Sequence, residues 1–218
     1  MTNLFNLKVF YILMMNQRLA LKQLKLLKSK SKAMRLAADG WKNDWQMLIA
    51  ILLSARTRDE TTILVCEKMF DKFPTPEKFS KLNISNIKRL INSVNFYENK
   101  SKYLQSTTKD ILEKFHGKVP DNVEELITLA GVGRKTANVF LANKGKDYIG
   151  IDTHVNYISN YLGWVNSKNP IKIEKQLEEL FPKSKWKEVN NTLVSFGKTY
   201  TSKTKKNLWL DWIKEKTL

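Results

Sequence analysis

Two side chains in this sequence are of the type, and in the setting, for covalent chemistry at an electrophilic carbon: Lys135 and Asp152. Lys135 follows Gly131-Val132-Gly133-Arg134 and falls in the first turn of a helix whose apolar face is Ala137, Phe140 and Leu141. The positive end of that helix and the neighbouring Arg134 both disfavour a further cation, which brings the uncharged, nucleophilic amine within reach. Asp152 stands before Thr153-His154-Val155 and heads a second helix, with Val155, Ile158, Leu162 and Val165 on its apolar side. Its carboxylate can cap that helix, which favours the ionised form. An ionised carboxylate in a dry site stabilises a developing positive charge and assists proton transfers at an amine. Alone, either residue reads as a solvated lysine or an everyday cap; their surroundings give them weight.

The surroundings begin with the glycines. Val123, Leu126, Ile127 and Ala130 fall at helical spacing before the turn, so two short helices flank glycines at alternate positions. Gly131 and Gly133 let the backbone turn tightly and approach a partner closely. The amides there and in the next helix's first turn then point outward, where an anion can bind. The chain carries 38 Lys and Arg against 21 Asp and Glu, a net charge of +17. The expected anion is therefore a nucleic-acid phosphate, bound in a salt-sensitive way. Six Trp, seven Tyr and ten Phe indicate a packed body rather than a disordered basic tail.

The elements that must position these residues are helical. Asn43-Asp44 caps a nearly all-apolar core helix, Trp45–Ser54, and Thr57-Arg58-Asp59-Glu60 opens another through Phe70. Helices are expected over 77–81, 84–94, 101–116, 123–130 and 134–144, with few period-two segments, so the fold class is all-α. Leu19, Leu21, Leu24, Leu26 and Leu27 alternate with lysines in a basic amphipathic helix. The apolar stretch from Leu4 to Met15 is too short to span a bilayer, lacks a cleavage site, and is expected to pack on the C-terminal helices. With Cys66 as the one cysteine no internal disulfide forms; it is expected buried in a helix, compatible with an intracellular location in cytoplasm or nucleoid.

Leu129 to Phe140, followed by Ile151-Asp152-Thr153-His154-Val155, closely resembles the helix-hairpin-helix and catalytic segments of the endonuclease III family of DNA glycosylases. The likeness extends upstream to Trp45–Glu60 and covers roughly 41–197. It implies two helical subdomains: a six-helix bundle with the hairpin over 41–150, and a terminal subdomain built from 1–40 and 151–218. Lys135 and Asp152 would face each other across a cleft between them. The resemblance also implies a bifunctional enzyme. Lys135 would displace a damaged base through a Schiff base and then allow elimination of the 3′ phosphate, with Asp152 as the carboxylate. Damaged or abasic duplex DNA would be the partner, the enzyme a monomer and the substrate an oxidised pyrimidine.

Gly131, Val132, Gly133, Arg134 and Thr136 would grip phosphate. Arg56 and Phe96 match the side chains that fill the gap left by the extruded nucleotide; bacterial members commonly carry glutamine at the first. Lys100 is expected at a phosphate. Asp59 matches an acidic position near the cleft, and His154 is assigned a supporting or capping role. The alternatives are an 8-oxoguanine glycosylase/lyase, or a non-catalytic helix-hairpin-helix DNA-binding protein. A monofunctional glycosylase fits less well, because those relatives usually lack the lysine.

The departure from the family lies near the C-terminus. Most relatives hold an iron–sulfur cluster on four cysteines; the matching positions here are Thr201, Leu208, Asp211 and Thr217. No thiolate cluster can form on them, and no cofactor or metal is expected. A helix with Leu208, Trp209, Trp212 and Ile213 on one face is expected to pack in its stead, with Lys203, Lys205 and Lys206 left for phosphates.

Overall fold

A computed structural model describes residues 2–217, with side chains from Asn16 onward. Every regular element among the described residues is helical. The chain forms two compact units, one of residues 35–146 and one of 1–34 with 147–218.

Helix α1 (Thr2–Lys30) opens the terminal unit. The packing expected of Leu4 to Met15 lies outside the described side chains. Further along, Ala20, Leu24 and Leu27 turn inward.

The middle unit carries α2 (Asp44–Ser54), α3 (Asp59–Lys72), α4 (Pro76–Ser80), α5 (Ile84–Leu90), α6 (Tyr97–Glu113), α7 (Val123–Leu126) and α8 (Arg134–Asn143). Asn43 caps α2, its side chain accepting from the Gln46 N–H at 2.9 Å. From Trp45 on, α2 buries almost every side chain, as an all-round apolar helix must. Trp45 packs on Phe70 and Phe79, ring centres 5.4 Å away, and donates to Thr108 Oγ1 at 3.1 Å. Cys66 is fully buried on α3, and desolvation pushes its thiol well above the ordinary range.

The limits of α5, α6 and α7 differ most from the sequence reading, and α5, expected to run to Val94, ends at Leu90, where the Ile91 N–H closes on Ile87 O. Helix α6 starts at Tyr97 rather than Ser101, because Phe96 adopts a left-handed conformation (φ 59°) that turns the chain straight into it. It stops at Glu113, where the Gly117 N–H reaches back to Ile111 O at 2.8 Å. Helix α7 is only one turn long. Beyond it, Thr128 N–H bonds Glu125 O and Leu129 N–H bonds Leu126 O, so the chain tightens to a three-residue repeat. Val123, Leu126, Leu129 and Val132 are consequently the buried set, while Ile127, read as part of the apolar face, is exposed.

The terminal unit closes with α9 (Thr153–Tyr161), α10 (Pro170–Leu180), a 3₁₀ turn (Lys183–Lys185), α11 (Trp186–Thr199) and α12 (Lys203–Thr217). Its core joins Leu24 and Leu27 to Val155, Ile158, Leu177, Leu193, Phe196, Leu210 and Ile213. Trp164 completes it, donating to Gln23 Oε1 at 2.6 Å and meeting Phe181 edge-on.

The four positions that match cluster cysteines carry other chemistry. Asp211 accepts from Tyr161 Oη at 2.7 Å, and that bond raises the phenol to about 12. Thr217 Oγ1 accepts from Gln23 Nε2 at 3.1 Å. Thr201 and Leu208 are exposed, so Leu208 does not share the packed face; Leu210 and Ile213 form it. Trp209 and Trp212 are half-buried, edge-to-face at 5.6 Å, with Lys30 Nζ 4.7 and 4.8 Å from their ring centres. Truncating such a ring removes apolar contact and the cation's partner. Trp209→Ala and Trp212→Ala should each cost about 2 to 3 kcal/mol in urea unfolding, whereas Leu208→Ala should change stability by less than about 0.5 kcal/mol.

Candidate functional site

The turn before α8 makes two different demands on its glycines. Gly131 sits at φ +76°, and a Cβ there would lie 2.7 Å from Cδ2 of Tyr103 on α6. Both the left-handed backbone and the ring beneath it require glycine. Gly133 has an extended backbone, and a Cβ would meet nothing within 4 Å. Its bareness matters only to something arriving from outside. The same helix anchors the turn a second time, since Thr107 Oγ1 on α6 donates to Ala130 O at 2.8 Å. Val132 plugs the turn into the core.

Gly133 is the N-cap of α8 and puts no side chain on its first amides. By contrast Asn43, Thr75, Asn83, Asn122, Asp152 and Asn169 each cap their own helices. An open helix N-terminus with its dipole pointing outward suits an anion. Arg134 and Lys135 are exposed in this turn and Thr136 is half-buried just behind.

A second region of the middle unit brings together residues far apart in sequence. Arg56, after α2, and Phe96, before α6, are both left-handed, at φ 57° and 59°. Such conformations cost bulky residues roughly 1 to 3 kcal/mol each and persist only when their neighbours enforce them. The Arg56 guanidinium lies over the Phe96 ring at 4.8 Å, and Phe96 is 54% exposed. Asn95 ties the two loops, donating Nδ2–H to Arg56 O at 2.6 Å and its N–H to Thr57 Oγ1 at 3.2 Å.

Lys100, expected at a phosphate, is instead buried, and desolvation lowers its pKa to about 8. The helix begins four residues earlier than expected, which puts Lys100 one turn before Leu104 on the face shared with Thr108 and Ile111. Reading that face back from Ile111 would have placed it inside. Asp59 is buried in the first turn of α3.

In the terminal unit Asp152 is half-buried and caps α9, Oδ1 accepting from the Val155 N–H at 2.8 Å. His154 packs against Gly197 of α11, so closely that any Cβ there would collide with the ring. Lys206, assigned from sequence to a phosphate, is also buried. Desolvation lowers its pKa, with the nearby charge of Asp152 acting the other way. Its Nζ sits 5.6 Å from the Tyr157 ring. Thr57, Asn95, Tyr103 and Thr107 were not singled out by sequence, because small polar and aromatic residues carry no motif of their own.

A family model described as HhH-GPD superfamily base excision DNA repair protein matches residues 49–183. Endonuclease III of Thermotoga maritima is 39% identical over 155 residues, which cover 71% of this chain and 73% of that protein. Endonuclease III of Bacillus subtilis is 35% identical over 158 residues, 72% of each. Among solved structures, a trapped endonuclease III–DNA covalent intermediate superposes with a TM-score of 0.77 at 28% identity, covering 86% of this chain and 88% of that one. A thermostable thymine-DNA glycosylase reaches 0.76 at 20% identity and shares the fold.

The unlike demands on the two glycines can be measured apart. Gly131→Ala should lower unfolding stability by roughly 1 to 3 kcal/mol, through strain and the Tyr103 contact, and lower the melting temperature. Gly133→Ala should change stability by less than about 0.5 kcal/mol and weaken only the binding of a duplex.

Proposed function

Since the chain belongs to the HhH-GPD superfamily of base excision DNA repair proteins, we propose that it excises damaged bases from duplex DNA and cleaves the strand, with Lys135 as nucleophile and Asp152 as the assisting carboxylate. The observation that carries this reading is the setting of Lys135. It is an exposed amine in the first turn of α8, next to an N-terminus that Gly133 leaves bare.

The uncharged Nζ attacks C1′ of the extruded nucleotide, and the base leaves with the bonding electrons and a proton. The sugar ring opens to an iminium linkage. Loss of a C2′ proton then expels the 3′ phosphate, and water releases the amine. The carboxylate of Asp152 stabilises the positive charge that builds on the sugar and receives protons from the amine. The amides at Gly131 and Gly133, with Arg134 and Thr136, hold the backbone phosphate. Arg56 and Phe96 enter the gap in the duplex: an exposed ring can take the stacking place of the lost base, and the guanidinium can hydrogen-bond the orphaned one. His154, packed on Gly197 in the turn after Asp152, keeps the start of α9 in place.

Oxidised pyrimidines are the proposed substrates, as the resemblance of the segments from Leu129 to Val155 to the endonuclease III family implies. No step passes through an iron–sulfur cluster, because Thr201, Leu208, Asp211 and Thr217 offer no thiolate.

Borohydride trapping on an abasic duplex tests the reading directly. Wild type should be captured covalently. Lys135→Gln should abolish capture while keeping duplex affinity within about tenfold, since one charge among many phosphate contacts is lost. Asp152→Asn keeps an N-cap of similar quality and removes only the charge, so turnover should fall by about 10²- to 10³-fold at nearly unchanged melting temperature. A nicking panel of thymine glycol, dihydrouracil and 8-oxoguanine duplexes reads the substrate. Faster nicking of 8-oxoguanine would overturn the pyrimidine assignment, and wild type that binds without capture would leave a DNA-binding protein.

A further inference from the structure

Lys100 is an expensive residue to bury, and its surroundings say what it is for. Only 5% of it is exposed. Nζ donates to Leu53 O at 2.8 Å, Ala55 O at 2.6 Å and Thr57 Oγ1 at 3.1 Å. An ammonium has three protons and no acceptor, so the group is saturated and has nothing left for an outside phosphate. The first two acceptors are carbonyls at the C-terminal end of α2 and just past it, where a helix dipole favours a cation. Desolvation lowers its pKa to about 8.

The third bond leads outward. Thr57 Oγ1 accepts from Lys100 and also from the Asn95 N–H, so both of its lone pairs are used. Asn95 in turn donates to Arg56 O, and the next residue is Phe96. The two left-handed residues thus stand on a network with a single buried cation at its base. Strained conformations at exposed positions last only when the structure beneath over-determines them.

We propose that Lys100 is the positioning residue of the duplex-entering pair: its ammonium fixes the loop after α2 so that Arg56 and Phe96 are held stacked and ready to replace an extruded nucleotide. This rests on the reading that Arg56 and Phe96 enter the DNA. Lys100 itself touches neither DNA nor the reacting atoms.

The test compares an abasic site in duplex DNA, where the pair must act, with the same strand single-stranded, where nothing need be displaced. The full chain is studied as wild type, Lys100→Met and Thr57→Val; the last removes the bridge to Asn95 and one of the three acceptors of the ammonium, while the buried charge keeps its two carbonyls. Both variants should nick the duplex about tenfold to a hundredfold more slowly, the cost of misplacing positioning groups by about 1 Å, at wild-type rates on the single strand. A 2-aminopurine opposite the abasic site should brighten on binding wild type and brighten less with the variants. Unchanged duplex-to-single-strand ratios and unchanged fluorescence in a folded variant would overturn the proposal. Should Lys100→Met fail to fold, Thr57→Val decides alone. Wild type that nicks neither substrate would sink the lyase reading instead, and the fluorescence of the bound duplex would still judge Lys100.

Discussion

One face of α6 holds both the loop of Arg56 and the turn before α8, and it does so with contacts made from inside the fold. Phe96 caps the helix, Lys100 follows one turn later, and Tyr103 and Thr107 continue the same stripe at helical spacing. Lys100 seizes the carbonyl end of α2, Tyr103 lies under Gly131, and Thr107 bonds Ala130 O. Because α6 is itself pinned by Leu104, Thr108 and Ile111 against the core, the loop around Arg56 and the turn before α8 are referred to one rigid rod. Their spacing is therefore set by helix geometry, about 1.5 Å per residue, rather than by flexible loops. A ligand that spans both regions meets a prearranged surface and loses less ordering entropy on binding.

The terminal unit solves a different problem, keeping the C-terminal helix in place without a cluster of metal and thiolate. Apolar contact from Leu210 and Ile213 supplies the base. Tyr200, Trp209, Trp212 and Lys30 form a partly exposed aromatic and cationic layer over it. Side-chain bonds from Tyr161 to Asp211 and from Tyr157 to Asn207 fasten α12 to α9. These fastenings reach the helix that Asp152 caps, so the carboxylate and the cluster-free segment share one scaffold. Lys206 is the clearest trace of that sharing, since the field of Asp152 acts on its buried ammonium. At the other end of the contact, Gly197 lets α11 come close enough to His154 that no side chain fits between.

Much of this was legible because the signals were local. Asn43 before an apolar run, Asp152 before Val155 and the glycines around Val132 announce their own caps and turns, and the structure carries each of them. What was not legible depended on long-range contact or on a shifted boundary. Lys100 reads as a surface cation as long as α6 is begun at Ser101; moved back to Tyr97, the same residue falls on the buried face. Ile127 fits a 3.6-residue period but not the three-residue repeat the chain adopts, so the apolar face was drawn through the wrong residues. Leu208 falls outside the packed face of α12 for a different reason, a rotation of a regular helix that composition does not fix. The left-handed backbone of Arg56 and Phe96 has no sequence signature, since neither residue favours it.

The excess of positive charge is the signal that most needs this correction. A net +17 points rightly toward a polyanion, but it does not say where the polyanion lies. Lys100 and Lys206 are buried, and Lys28, Lys144 and Lys146 are engaged with Glu188, Asp44 and Asp121. Counting cations therefore overstates the charge that is available at the surface. The exposed Arg134 and Lys135 stand at a helix end bare of any cap, and Arg56 stands over an exposed ring on the same unit. Of the lysines that composition offers equally, the fold spends one beneath the surface as a fastener and leaves another exposed in the first turn of a helix, where a ligand can meet it. Burial, not residue type, separates the two roles.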